Sequence, residues 1–282
     1  KLNNKDADVY IFEKNSYLGA KVVISGGGRC NVTTGLSDID QILKRYPRGA
    51  RFLKFAMHEF PPSKVVDFFE QNGVQLKTEE DLRIFPISNN GKDIVKVFEK
   101  FFEEEGVQVV LNSNVSKIEK QANTFFVHSK DKIFEFDKII VTTGGRAYKH
   151  TGSTGDGYAF ATTLGHSITK LGPSLNSFVL KETFCKDLAG LSFEKVKLKV
   201  KATKAYEFEG AIVFTHKGIS GPAIFAMSSL TAYEDYSFDG PMKLFIDFLP
   251  SRDSDSLFRF FDEKINEHKN KLFVHVLDFI LP

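Results

Sequence analysis

Apolar residues along the chain change their period several times, and each change marks an element. Residues 9–12 (Val9, Tyr10, Ile11, Phe12) form a short apolar strand that ends on an acid, Glu13. Spacings of three and four residues predict helices over 38–46 and 51–60. A third helix is predicted with Ser63 as its cap, Val65, Val66, Phe68 and Phe69 on its buried side, and Gly73 at its close. Two extended pieces, 74–77 and 83–85, and a loop at 86–90 lead into an amphipathic helix over 92–105. A buried strand follows at 107–111, and strict alternation over 115–119, 124–128 and 132–136 predicts an antiparallel meander. Residues 138–142 read as a further apolar strand that runs into Thr143-Gly144-Gly145, before a helix over 158–164.

Near residue 172 the texture changes. Period two dominates at 177–181, 195–201 and 205–214, which predicts a separate antiparallel sheet or small barrel. A helix over 223–230, a strand over 242–248 and helices over 254–267 and 271–281 complete the pattern. The first half has the order of an α/β nucleotide-binding fold carrying an antiparallel excursion. We therefore expect a Rossmann-like domain over 1–171, an antiparallel β-barrel-like domain over 172–250, and the start of a helical domain over 251–282.

Composition excludes more than it suggests. Apolar content of 42% and charge of 26% are ordinary for a globular protein of 282 residues. A net charge of +2 gives no reason to expect nucleic acid or an anionic membrane as partner. Cys30 and Cys185 form neither a disulfide framework nor a metal-ligand pattern, so no metal is expected and a reducing cytoplasm is the default. No apolar run approaches the ~18 residues of a membrane span.

The chemistry concentrates in Ser25-Gly26-Gly27-Gly28-Arg29-Cys30-Asn31. Three glycines strip the Cβ atoms from one side of a loop, so backbone can approach a flat or anionic ligand. Arg29 adds a planar fork suited to phosphate. Glu13, at the end of an early strand, is placed as the acid that holds an adenosine ribose in dinucleotide folds. In those folds a Gly-rich turn lies about 20 residues ahead of that acid. Only residues 1–12 precede Glu13, and we expect a first strand and its turn to lie upstream. The apolar Ile280-Leu281-Pro282 ending likewise reads as cut. A second cluster, Gly152-Ser153-Thr154-Gly155-Asp156-Gly157, opens the helix at 158, where free N–H groups can face an anion or a polarised ring. His216 lies in Phe214-Thr215-His216-Lys217-Gly218-Ile219-Ser220-Gly221-Pro222 and can polarise a substrate, move a proton, or simply hold its turn.

Three motifs taken in order, residues 19–33, 143–158 and 214–222, resemble the bacterial FAD-dependent flavoprotein family of aminoacetone oxidase and BaiN-like NAD(P)/FAD-dependent oxidoreductases. The likeness runs along essentially the whole chain. It implies a two-dinucleotide-binding-type FAD domain, an inserted β-barrel-like domain and a small helical domain. By that resemblance Glu13 binds the ribose, while Gly26, Gly27, Gly28, Arg29, Cys30 and Asn31 pass the pyrophosphate and flavin. Val115 offers backbone to the adenine, Thr143, Gly144 and Gly145 form the turn beneath the cofactor, and Gly155, Asp156 and Gly157 lie near the flavin. His216 is the catalytic candidate, a small molecule is the expected substrate, and NAD(P)H is a candidate electron donor. The alternatives are a flavin- or nucleotide-binding protein without turnover, and an inactive fragment.

Overall fold

The computed structural model describes residues 5–277, and the chain divides into two compact units, Lys1–Thr169 and Lys170–Pro282. The sequence expectation for 280–282 lies outside the described residues. In the first unit, β1 (Tyr10–Phe12) is followed by α1 (Ala20–Ile24), β2 (Thr33–Thr34), α2 (Ile39–Lys44), α3 (Ala50–Glu59) and α4 (Pro62–Gln71). Then come β3 (Leu76–Thr78), β4 (Arg83–Pro86), α5 (Gly91–Glu104), β5 (Gln108–Val110), β6 (Val115–Gln121), β7 (Thr124–Ser129), β8 (Lys132–Phe136) and α6 (Asp156–Thr163).

β1 pairs in parallel with β5, Ile11 opposite Val109, as the α/β reading requires. β6, β7 and β8 form the expected antiparallel meander. A small antiparallel sheet of order β2-β4-β3 lies between the helices. Asp38 caps α2 by accepting the Asp40 and Gln41 N–H groups, and Asn90 caps α5 through the Lys92 N–H. Ser63 is not the cap of α4. The helix begins at Pro62, whose ring presets φ for the first helical position, and Ser63 falls inside the first turn.

Two clusters hold this unit. Cys30, Phe69, Ile94 and Val97 are buried between α4, α5 and the glycine loop, and the Phe68 and Phe101 rings stack beside them at 5.6 Å. Ile118, Val127 and Phe160 form the other, packed by Phe12, Phe134 and Phe136 from β1 and the meander. Residues 138–142 depart from expectation. They pair with no strand among the described residues, and Ile140 is left 88% exposed. Apolar character made them read as a strand, but a ladder needs a neighbour to take its N–H and C=O groups.

The second unit contains β9 (Phe178–Val179), β10 (Ser192–Lys201), β11 (Ala205–Thr215), β12 (Gly218–Ser220), α7 (Pro222–Leu230), β13 (Leu244–Asp247), α8 (Ser254–Glu267) and α9 (Phe273–Leu277). Its sheet is antiparallel, five-stranded, and ordered β13-β10-β11-β12-β9. Val196, Leu198 and Val200 alternate on one face of β10 and meet Ile212, Phe214, Ile219 and, from α7, Ala223, Ile224 and Met227. The opposite face of that hairpin carries Lys197 and Lys199 across from Glu207, a solvated ladder of ion pairs. Among the described residues no helix is long and apolar enough to cross a membrane.

Candidate functional site

The triple glycine forms a turn directly after α1. Gly26, Gly27 and Gly28 have φ of 57°, 70° and 91°, in the left-handed region that side chains avoid. Their surroundings differ. A Cβ on Gly26 would lie 2.8 Å from the Phe85 ring and 2.9 Å from the Asn31 amide nitrogen, so this glycine closes the loop onto its own core. A Cβ on Gly27 meets nothing within 4 Å, and one on Gly28 meets only the Val23 carbonyl oxygen at 4.0 Å. The bare edge that a flat or anionic group would need is therefore open at 27 and 28. The start of α5 backs the loop from the other side: a Cβ on Gly91 would come 3.2 Å from both Cys30 Cβ and the Gly28 carbonyl oxygen.

Arg29 is engaged with the protein itself. Its Nη1 donates to Glu79 Oε1 at 2.6 Å, and its guanidinium lies 3.9 Å from the centre of the Phe85 ring. Stacking and ion pair together pin the loop to β4 and the segment before it. Cys30, at φ 61°, is buried, and that burial pushes its thiol above the ordinary range, with a Ser25 hydrogen bond opposing. A protonated, packed thiol suits a core residue rather than a nucleophile. Asn31 is exposed.

Glu13 leaves β1 with Oε1 accepting the Asn15 N–H at 2.8 Å. The residues after it reach across the chain. Lys14 Nζ donates to Asp156 Oδ2 at 2.7 Å and to Thr154 Oγ1 at 2.9 Å, and Asn15 Nδ2 donates to the Thr151 carbonyl at 3.1 Å. Lys21, on α1, donates to the Ala147 carbonyl at 2.8 Å. The second glycine cluster and the turn before it are thus stitched to residues 14–21, the stretch that leads into the first glycine cluster.

The second cluster is two turns packed on each other. A Cβ on Gly157 would lie 2.5 Å from Thr143 Oγ1, one on Gly155 2.5 Å from Arg146 Cγ, and one on Gly145 3.2 Å from the Tyr158 hydroxyl. Thr143, Gly144 and Gly145 therefore lie against Gly155, Asp156 and Gly157 at the start of α6. The Lys14 hydrogen bond holds the Asp156 carboxyl below its ordinary range; partial burial opposes it, and Thr154 adds a second lowering hydrogen bond. Val115 opens β6 and packs beside Ile118, Val127 and Phe160.

His216 lies in the second unit, exposed with Lys217 in the two-residue turn between β11 and β12. Its carbonyl accepts from Cys185 Sγ at 3.8 Å. Sequence reasoning passed over Lys14, Asn15, Lys21 and Glu79. The first two follow the strand-end acid directly, which was a usable signal. Glu79 is remote in sequence from Arg29, and no spacing rule points to it.

Comparison with known proteins bears on this arrangement. The model of a family described as HI0933-like protein Rossmann domain matches residues 1–227. A 3-dehydro-bile acid delta(4,6)-reductase of Clostridium scindens is 27% identical over 93% of this chain and 63% of its own length. A ribosomal RNA dihydrouridine synthase of Haemophilus influenzae is 27% identical over 78% of the chain and 55% of its own. The protein so named in Escherichia coli is 25% identical over 97% and 65%. The chain thus spans less than two-thirds of the length of each of these relatives.

Proposed function

The chain belongs to the HI0933-like Rossmann-domain family, a family of FAD-dependent oxidoreductases, and on that premise we propose that it binds FAD through its first unit and reduces a carbon–carbon double bond conjugated to a carbonyl. The observation that carries the cofactor assignment is the open, side-chain-free edge at Gly27 and Gly28. A ring system or pyrophosphate can approach backbone there without meeting a Cβ. In this reading Glu13 accepts the ribose hydroxyls through Oε2, and Val115 presents backbone to the adenine. Residues 143–145 and 155–157 form the turn beneath the cofactor, with the N-terminus of α6 favouring negative charge near it. Arg29 holds the loop in shape from behind.

The substrate class rests on chemistry common to the relatives' names. A delta(4,6)-reductase of a 3-dehydro bile acid and a dihydrouridine synthase each add two hydrogens across an activated double bond. Bound FAD would supply the hydride for such a reduction, with NAD(P)H as the proposed donor. Solvent can supply the accompanying proton in this reading.

Anaerobic titration of the full-length, FAD-loaded protein with NADH and NADPH tests this reading. Bleaching of the flavin absorbance, reversed on adding a conjugated enone or a uridine-containing RNA, is the expected result. Bound flavin that neither donor reduces would favour a flavin-binding protein without turnover.

A further inference from the structure

We propose that the surface formed by α2, α3 and their connecting turn binds unpaired RNA. Residues 41–58 contain no aspartate or glutamate, yet within them stand Lys44, Arg45, Arg48, Arg51 and Lys54, all exposed. α3 has no buried residue. Leu53 and Met57 are half-buried on one side of it, while Phe52 is 88% and Phe55 75% exposed. These rings are three residues apart and so share one helix face, where Arg51 and His58 flank Phe55. The neighbouring α4 hides its aromatics, burying Phe69 and packing Phe68 against it. Exposed rings alone would carry nothing, since single exposed apolar residues are common. What distinguishes this face is that five cations and two exposed rings interleave between residues 41 and 58, with acids only at its ends, Asp40 at the start of α2 and Glu59 at the close of α3.

One ligand chemistry satisfies both features: phosphates for the cations, and unpaired bases to stack on the rings. A bilayer suits the face less well, because membrane-surface helices separate a broad apolar side from the charged one. Here the apolar side of α3 turns toward the protein, and the outer rings stand among charges. The inference rests on this surface alone and requires no flavin chemistry. Of the two substrate types proposed above, it favours a uracil carried on RNA.

The test is fluorescence anisotropy of the full-length protein with a labelled, unstructured uridine-rich oligonucleotide, over a series of KCl concentrations. Three phosphate contacts give a log–log salt slope of about −2. The double substitution F52A/F55A is expected to weaken binding by at least about 10-fold, since each stacked base contributes ~1–3 kcal/mol. R45A/R51A is expected to flatten the salt slope. Circular dichroism melts that match the parent will show that both variants fold. Absence of binding at low salt, or equal affinity in parent and both variants, overturns the proposal. Capture by phosphatidylserine vesicles that is lost in F52A/F55A, without RNA binding, also overturns it and assigns the face to membranes. Retention of FAD is scored separately, so failure here leaves the flavin reading standing, and loss of flavin leaves this one standing.

Discussion

Lys14 Nζ reaches both Asp156 and Thr154, at 2.7 and 2.9 Å, so the residue after the strand-end acid holds the second glycine cluster in place. That contact joins two motifs separated by most of the first unit. It ties the strand end to the start of α6, and Lys21 on α1 makes a parallel tie to the Ala147 carbonyl.

Breaking the contact should affect cofactor retention more than folding. A partly exposed ion pair stabilises by about 1 kcal/mol or less, so Lys14→Ala should shift the melting midpoint only a few degrees. Flavin affinity should fall further, because residues 154–157 lose the tether that positions them. Parallel thermal melts and FAD titrations of the variant check the two effects.

Asp156 also gives the contact a pH dependence. Its carboxyl is held below the ordinary range, chiefly by Lys14. A depressed folded-state value means the contribution is present above the unfolded value, about 3.9, and is lost as pH falls through the folded one. The stability difference between parent and Asp156→Asn should therefore be constant near neutrality and shrink below about pH 3.9. Denaturation at stepped pH values measures it.

Gly26 and Gly27 should respond differently to alanine. Both occupy left-handed backbone, where a side chain costs about 1–2 kcal/mol. Only at Gly26 does the new Cβ also collide, with Phe85 and the Asn31 amide. Gly26→Ala should thus lower stability by more than Gly27→Ala, while Gly27→Val, whose β-branched side chain strains left-handed backbone further, should lower FAD affinity by more than its loss of stability accounts for. Denaturant midpoints set beside flavin titrations separate the two.

Arg29 and Glu79 should behave as a coupled pair. A double-mutant cycle on Arg29→Ala and Glu79→Ala should return a coupling of about 1 kcal/mol. Arg29→Lys should recover the charge but not the flat contact over Phe85. Urea unfolding of the four species measures both.

His216→Ala should leave stability within about 0.5 kcal/mol, because the side chain stands on an exposed turn. Denaturant unfolding of the variant beside the parent measures it.

The helices with apolar spacing were legible because burial imposes that spacing: 254–267 is α8 to the residue, and 92–105 differs from α5 by one residue at each end. The hairpin of β10 and β11 followed from alternation for the same reason. Residues 138–142 misled, since hydrophobicity reports burial or pairing somewhere without naming the partner. α1 was missed because five residues are too few for periodicity to register. At the site, the glycines were visible and their differing roles were not. Gly26 faces Phe85, distant in sequence, while Gly27 faces open space, and only coordinates separate the two. Whole-chain charge says nothing of local patterning: a total of +2 averages over the acid-free stretch at 41–58.

The most direct test of the account is FAD binding by the full-length protein, followed by flavin fluorescence quenching and the visible absorption bands, with Gly27→Val alongside. The account requires saturable binding near one FAD per chain, weakened at least 10-fold in Gly27→Val while that variant stays folded. A folded protein that binds no flavin, or a Gly27→Val variant that binds it as tightly as the parent, would contradict it.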